Sequence, residues 1–215
     1  MHRRRFMVIT AAGLLVGCNR VQPAQARDAA PPQRGGPGSP VVPKSAAPLD
    51  GQLCGPTSPD LRGPYWTPDA PNALHLSPKG DLRIEGLVKG PDCRPIPGAM
   101  VHVWQADPRG RYADDRLRGR LATDKDGAYR FETVRPGNYR EPNGWRPAHI
   151  HFEVTAPGFK PLVSQLYFAG DPYLSPNDSC SVCRSDGADR IIKLAEVIAP
   201  YRRQEGTFEI HLAKA

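Results

Sequence analysis

Apolar residues recur two apart along much of the chain from residue 82 to residue 212, the period of a strand with one face in a core. Leu82 to Val88 alternates in this way, with Gly86 a bulge or a point of close backbone approach. Ala99 to Trp104 is apolar on both faces apart from His102, which predicts a buried strand. Ala128 to Val134 is a strand fed by the turn Thr123-Asp124-Lys125-Asp126-Gly127 and ended by Arg135-Pro136-Gly137-Asn138-Tyr139. In Arg146-Pro147-Ala148-His149-Ile150-His151-Phe152-Glu153-Val154, one face takes Ile150, Phe152 and Val154 and the other takes His149 and His151. Val163 to Phe168 follows, and Thr207 to Leu212 closes the chain with Phe208, Ile210 and Leu212 inward and Thr207, Glu209 and His211 outward. Only Leu194 to Arg203 invites a short helical turn, and the segment from Tyr139 to Trp145 reads as a loop. Some seven short strands with turn signals between them predict an all-β fold, a β-sandwich with long irregular loops.

Composition agrees: 25 Pro and 21 Gly among 215 residues disfavour long helices, and 39% hydrophobic residues suffice for one domain with its own core. The first residues change the picture of where that domain works. Residues 1–17 join a basic start, Arg3-Arg4-Arg5-Phe6-Met7, to a short apolar run, and Leu15-Val16-Gly17-Cys18 has the form of a lipobox with Cys18 as the acylated residue. The arginines fit a twin-arginine signal or a general secretory one. Export to the bacterial cell envelope follows, with a membrane contacted only through the lipid. Residues 18–50 are a Pro/Gly/Ala-rich tether with too little apolar surface to offset its ordering entropy. The folded domain is expected over 51–215. Without residues 1–17, 26 basic side chains face 22 acidic ones, a net of +4, and no basic-aromatic cluster points to nucleic acid. Cys54, Cys93, Cys180 and Cys183 are an even set in an exported chain, which favours disulfides with the pairing left open. Half a zinc site at Cys180-Ser181-Val182-Cys183 has no second Cys-x-x-Cys and no nearby His to complete it.

The candidate chemistry starts at His149 and His151, which lean from one strand face toward a shared point. Tyr112 and Tyr139 each sit just beyond a strand, in loops ahead of that pair. Ferric iron prefers anionic oxygen donors, and a phenol that titrates near 10 becomes one only when a metal holds it. Two phenolates and two neutral imidazoles would leave an Fe(III) site near net +1 with room for a further ligand. Spacing alone does not single out these tyrosines.

From about Arg83 to Phe168 the sequence resembles the intradiol ring-cleavage dioxygenases, most like the protocatechuate 3,4-dioxygenase group. The matching stretches are Pro95-Ile96-Pro97-Gly98-Ala99 with Val103-Trp104-Gln105-Ala106-Asp107, Gly110-Arg111-Tyr112, Thr123-Asp124 with Gly127-Ala128-Tyr129, Pro136-Gly137-Asn138-Tyr139, Trp145 to Phe152, and Ser164-Gln165-Leu166-Tyr167-Phe168. Gly63-Pro64-Tyr65-Trp66 resembles the family's opening segment, with aromatics placed to cover a pocket.

The resemblance implies non-haem Fe(III) on Tyr112, Tyr139, His149 and His151, with Tyr139 and His149 axial and Tyr112 and His151 equatorial. Tyr139 would give way to an aromatic diol and take its proton. Arg146 would steady negative charge on the ring. Gln165 would partner Arg146, and Tyr65 and Trp145 would face the substrate. O2 would be the second substrate, the product a muconate-type diacid, and a homo-oligomer is compatible with the family. The chain departs from catechol 1,2-dioxygenases in carrying a tether where their helical N-terminal domain stands. A different class, the non-catalytic carboxypeptidase-regulatory or transthyretin-like sandwich module, shares the turns at Asp126-Gly127 and Pro136-Gly137. It has no use for His149, His151 or Gln165.

Overall fold

The computed structural model describes residues 53–77, 80–112, 117–198, 200 and 202–215. The signal, Cys18 and the tether lie outside the described residues. Among the described residues twelve strands run in chain order: β1 (Leu82–Lys89), β2 (Met100–Gln105), β3 (Arg118–Ala122), β4 (Ala128–Thr133), β5 (Tyr139–Glu141), β6 (Gly144–Arg146), β7 (His149–Thr155), β8 (Leu162–Phe168), β9 (Ile191–Ile192), β10 (Ala195–Val197), β11 (Arg203–Thr207) and β12 (Ile210–His211). Among the described residues the only helical element is a 3-10 turn, Ala188–Arg190.

One sheet has the order β3-β2-β7-β8-β9. The other centres on β1, which pairs antiparallel with β4 and parallel with β11 along its first half and β12 at its end. The two sheets share one apolar core. Ile84, Phe131, Phe208 and Ile210 from one meet Val101, Val103, Ile150, Phe152 and Leu166 from the other, with Phe152 and Phe208 edge to face at 5.3 Å. Each of these side chains contributes about 1.5–3 kcal/mol on burial. The sandwich expected from the alternation is therefore present, and Gly86 is the close-approach point, since a Cβ there would collide with the Phe208 carbonyl.

Three local readings are corrected. The helical turn expected over Leu194 to Arg203 gives way, in its described residues, to a strand: Ala195–Val197 pairs antiparallel with Arg203–Thr207 as a sheet edge, in keeping with β-branched Val197. Tyr139 to Trp145 is not an open loop. Tyr139–Glu141 and Gly144–Arg146 form a ribbon in which Tyr139 stands opposite Arg146 and Arg140 opposite Trp145. The last segment is two short strands, β11 and β12, although Phe208, Ile210 and Leu212 are buried as the alternation requires. The cysteines pair Cys54–Cys93 and Cys180–Cys183.

Candidate active site

The face of β7 that avoids the core is covered by loops. On it, His149 lies opposite Tyr167 and His151 opposite Gln165 of β8, while Trp104 of β2 lies opposite His151 from the other side. Trp104 stacks flat on the His151 imidazole, with ring centres 5.1 Å apart and planes 5° from parallel. The chain at Gly63 presses on the same ring: with φ of +66° it sits so close that a Cβ would lie 2.5 Å from His151 Cε1. Gly63 is therefore required twice, for its left-handed backbone and for its missing side chain.

The tyrosines arrive on two loops that touch backbone to backbone. A Cβ at Gly110 would collide with the Asn138 carbonyl, and one at Gly137 with the Pro108 carbonyl. Gly110 N and Gly137 N both donate to Asp107 O, at 2.9 and 3.0 Å. The two loops thus carry Tyr112 and Tyr139 as one piece. Asp171 fixes that piece to the strand: its Oδ2 accepts from Asn138 Nδ2 at 2.8 Å and from Ala148 N at 3.0 Å.

Three donor atoms meet. Tyr112 Oη lies 3.0 Å from His151 Nε2 and 3.3 Å from His149 Nε2, and the two Nε2 atoms are 3.1 Å apart. The Tyr139 ring stands edge-on to Tyr112 at 5.8 Å and lies 5.6 Å from the His149 ring. His149 Nδ1 is 2.7 Å from Pro147 O, which only accepts, so this nitrogen carries the proton and Nε2 presents a lone pair. His151 Nδ1 is buried without a partner.

Burial, reinforced by the Arg146 charge, lowers the pKa of His149 to about 3. Burial, then His149 and Arg146, push His151 well down too. Both imidazoles are neutral, as metal ligands must be. Burial raises both phenols above their ordinary value, with Tyr139 adding to the effect on Tyr112, so that among the described residues Arg146 does not suffice to ionise them.

The donor set fits a metal ion. Ligand atoms bound at about 2.0–2.2 Å and at right angles lie about 3 Å apart, which is the spacing of these three. Among the described residues no cluster of three or more His, Cys, Asp or Glu is placed to hold a metal, so here the two histidines need the phenols to complete a set.

Arg146 is buried on β6, beside Tyr139. Its Nη2 donates to Gln165 Oε1 at 3.0 Å and its Nε lies 2.8 Å from Asp178 Oδ1. Burial opposes its charge, but Tyr139 and Asp178 outweigh burial and hold its pKa above the ordinary value. Gln165 Nε2 donates to Leu61 O at 2.9 Å. The Tyr167 hydroxyl lies 3.0 Å from both Gln165 Oε1 and Asp60 Oδ2, and its single proton serves one of them. Asp60 in turn is paired with buried Arg190.

A cavity of about 680 Å³ opens over the phenols, lined by Tyr65, Arg109, Tyr112, Tyr139, Glu141 and Trp145 among others. Tyr65 is half-exposed and stacks on Tyr112 at 4.5 Å. Trp145 also borders the cavity, but it stacks on Tyr173 at 5.3 Å and belongs to the ribbon face opposite Arg146. Asp171, Asp178, Gly63 and Trp104 were not singled out as site residues from the sequence. The aspartates act through the fold and have no local pattern that marks them, whereas Gly63 and Trp104 fall in motifs already noted.

A family model described as "Dioxygenase" matches residues 63–214. The chain is 35% identical over 162 residues to a chlorocatechol 1,2-dioxygenase of Rhodococcus opacus, covering 60% of this chain and 63% of that protein. The crystal structure of a catechol 1,2-dioxygenase from Pseudomonas arvilla C-1 is similar, with a TM-score of 0.67 and 30% identity over 76% of this chain and 64% of that one. The dioxygenase domain of a dioxygenase–carbohydrate-binding protein fusion from the cellulolytic bacterium Streptomyces sp. SirexAA-E matches along its whole length. It covers 75% of this chain, with a TM-score of 0.62 and 32% identity. The chain thus spans less than two thirds of the first two relatives and all of the third. A catalytic family, rather than a binding module, accounts for both the sandwich and the His-Tyr cluster, and the chain belongs to the intradiol ring-cleavage dioxygenases.

Proposed function

We propose that this protein cleaves a catechol-type ring between its two hydroxylated carbons with O2, giving a muconate-type diacid. Tyr112, Tyr139, His149 and His151 would hold a non-haem Fe(III). The observation that carries this reading is the convergence of Tyr112 Oη and the two Nε2 atoms within 3.0–3.3 Å of one another, with a second phenol beside them. Bound there, ferric iron supplies the charge that ionises phenols and diols and the means to couple an electron-rich ring to O2.

The residues of the chain do the rest. Tyr139, at the cavity side of the cluster, would as a phenolate be placed to accept a proton from an entering diol. Arg146 brings a fixed cation to the edge of the ring, where negative charge develops, and the low dielectric of its buried site strengthens that interaction. Gln165, which the Tyr167 hydroxyl also reaches, accepts from the guanidinium and helps to hold it. Tyr65 covers Tyr112 and limits access of water to that phenol. Trp145 forms part of the cavity rim.

Iron-loaded protein offered catechol, protocatechuate, hydroxyquinol and gallate should take up O2 with at least one of them and show the burgundy colour of a tyrosinate–ferric pair. Tyr112→Phe should bleach the colour and slow turnover. A Tyr112→Phe protein unchanged in both would remove that residue from the site. We also propose that residues 1–17 direct export and that Cys18 anchors the protein by a lipid in the cell envelope, as the lipobox suggests. Cys18→Ser should release it from membrane fractions of the host.

A further inference from the structure

We infer that Asp178 is a positioning residue for Arg146, held just ahead of a turn that the Cys180–Cys183 disulfide closes. This rests on Arg146 acting on the bound diol as proposed above. The guanidinium and the carboxylate are both withdrawn from solvent, at 6% and 3% side-chain exposure. Their contact is one of charge. The 2.8 Å separation is not aligned as a hydrogen bond, and both Arg146 Nε and Asp178 Oδ2 are buried without a hydrogen-bond partner. The carboxylate therefore sets where the cation rests, while Nη2 of Arg146 donates to Gln165.

The neighbours of Asp178 grip the same ribbon. Ser179 N donates to Trp145 O at 2.9 Å, one residue from Arg146, and Ser179 Oγ donates to Glu141 Oε2 at 3.2 Å on the strand that carries Tyr139. Asp178 Oδ1 also accepts from Cys180 N at 2.9 Å. The disulfide and the Cys183 N to Cys180 O hydrogen bond, at 3.2 Å, then lock the turn that follows. Two consecutive residues, Asp178 and Ser179, thus fasten both strands of the β5–β6 ribbon, and Cys180, which hydrogen-bonds Asp178, joins them to the stapled turn.

Asp178→Asn keeps the shape and removes the charge. In the iron-loaded full chain it should keep the wild-type colour and lower kcat about 100-fold, the cost of a misplaced group near the reacting atoms, with a smaller change in KM. In an Arg146→Met background, Asp178→Asn should cost nothing further. In the metal-free protein, phenylglyoxal should modify Arg146 at least about tenfold faster in Asp178→Asn than in wild type, read by peptide mass. Cys180→Ser/Cys183→Ser, which leaves Asp178 in place, should move both readouts the same way by less. Equal loss of kcat in the Arg146→Met background, or an unchanged rate of Arg146 modification, would overturn the assignment. Wild-type protein that cleaves no diol would refute the proposed function instead, while the phenylglyoxal arm would still decide whether Asp178 holds Arg146.

Discussion

Gly63→Ala is the sharpest test of how the histidine pair is held. Gly63 has φ of +66°, and an added Cβ would sit 2.5 Å from His151 Cε1 and 3.1 Å from Nε2. Two costs follow. A left-handed non-glycine residue carries about 1–3 kcal/mol of strain. The methyl must also displace the imidazole, which Trp104 blocks from its stacked side. Gly98 separates the two costs: its φ is +70°, yet nothing lies within 4 Å of its Cβ position. Gly98→Ala should therefore show the strain alone, about 2–4 °C in Tm per kcal/mol for a domain of this size. Gly63→Ala should lose more than Gly98→Ala, and it alone should weaken iron binding, by about 10–100-fold, the range seen when a ligand's support is removed. Urea unfolding of the metal-free proteins and competition with a chelator, followed by the charge-transfer band, measure both. Equal iron affinity in the two variants would refute the packing of Gly63 against His151 as a determinant of the site.

Two further outcomes can be checked alongside. His102 is buried between Trp66 and Trp104, and burial, with Arg120, Arg118 and Arg62, lowers its pKa despite Glu153. A depressed histidine leaves the native state with fewer protons than the unfolded chain, so its contribution is complete above about pH 6.5 and shrinks below it by at most about 1.4 kcal/mol per pH unit. Urea midpoints of wild type and His102→Gln measured from pH 7.5 to 5 should therefore differ in slope below pH 6.5, with the wild type steeper. Cys54–Cys93 ties the segment that carries Asp60 and Gly63 to the loop after β1; Cys54→Ser/Cys93→Ser should cost about 2–4 kcal/mol and loosen that segment, seen as faster amide exchange at residues 57–66.

What the sequence determined by itself was the local part. Period two placed Ile150, Phe152 and Val154 in the core and His149 and His151 on the other face, because a pleated strand admits no other division. Turn residues marked most strand ends. The motifs named the family and, with it, Tyr112, Tyr139, Arg146 and Gln165 as residues to examine. Short segments with no strong period depart from the pattern: Ala195–Val197 pairs with the strand that directly follows it, and Tyr139–Glu141 pairs with Gly144–Arg146, because each chain reversal brings two short stretches together to exchange hydrogen bonds.

Tertiary structure alone decided the convergence. Tyr112 reaches the histidines because Gly110 and Gly137 let two loops touch. His151 is oriented by Trp104 and Gly63, and Arg146 is held by Asp178 from a distant loop. Such contacts join residues far apart in the chain. Their geometry is set by how the whole sandwich closes, and no spacing along the sequence encodes it.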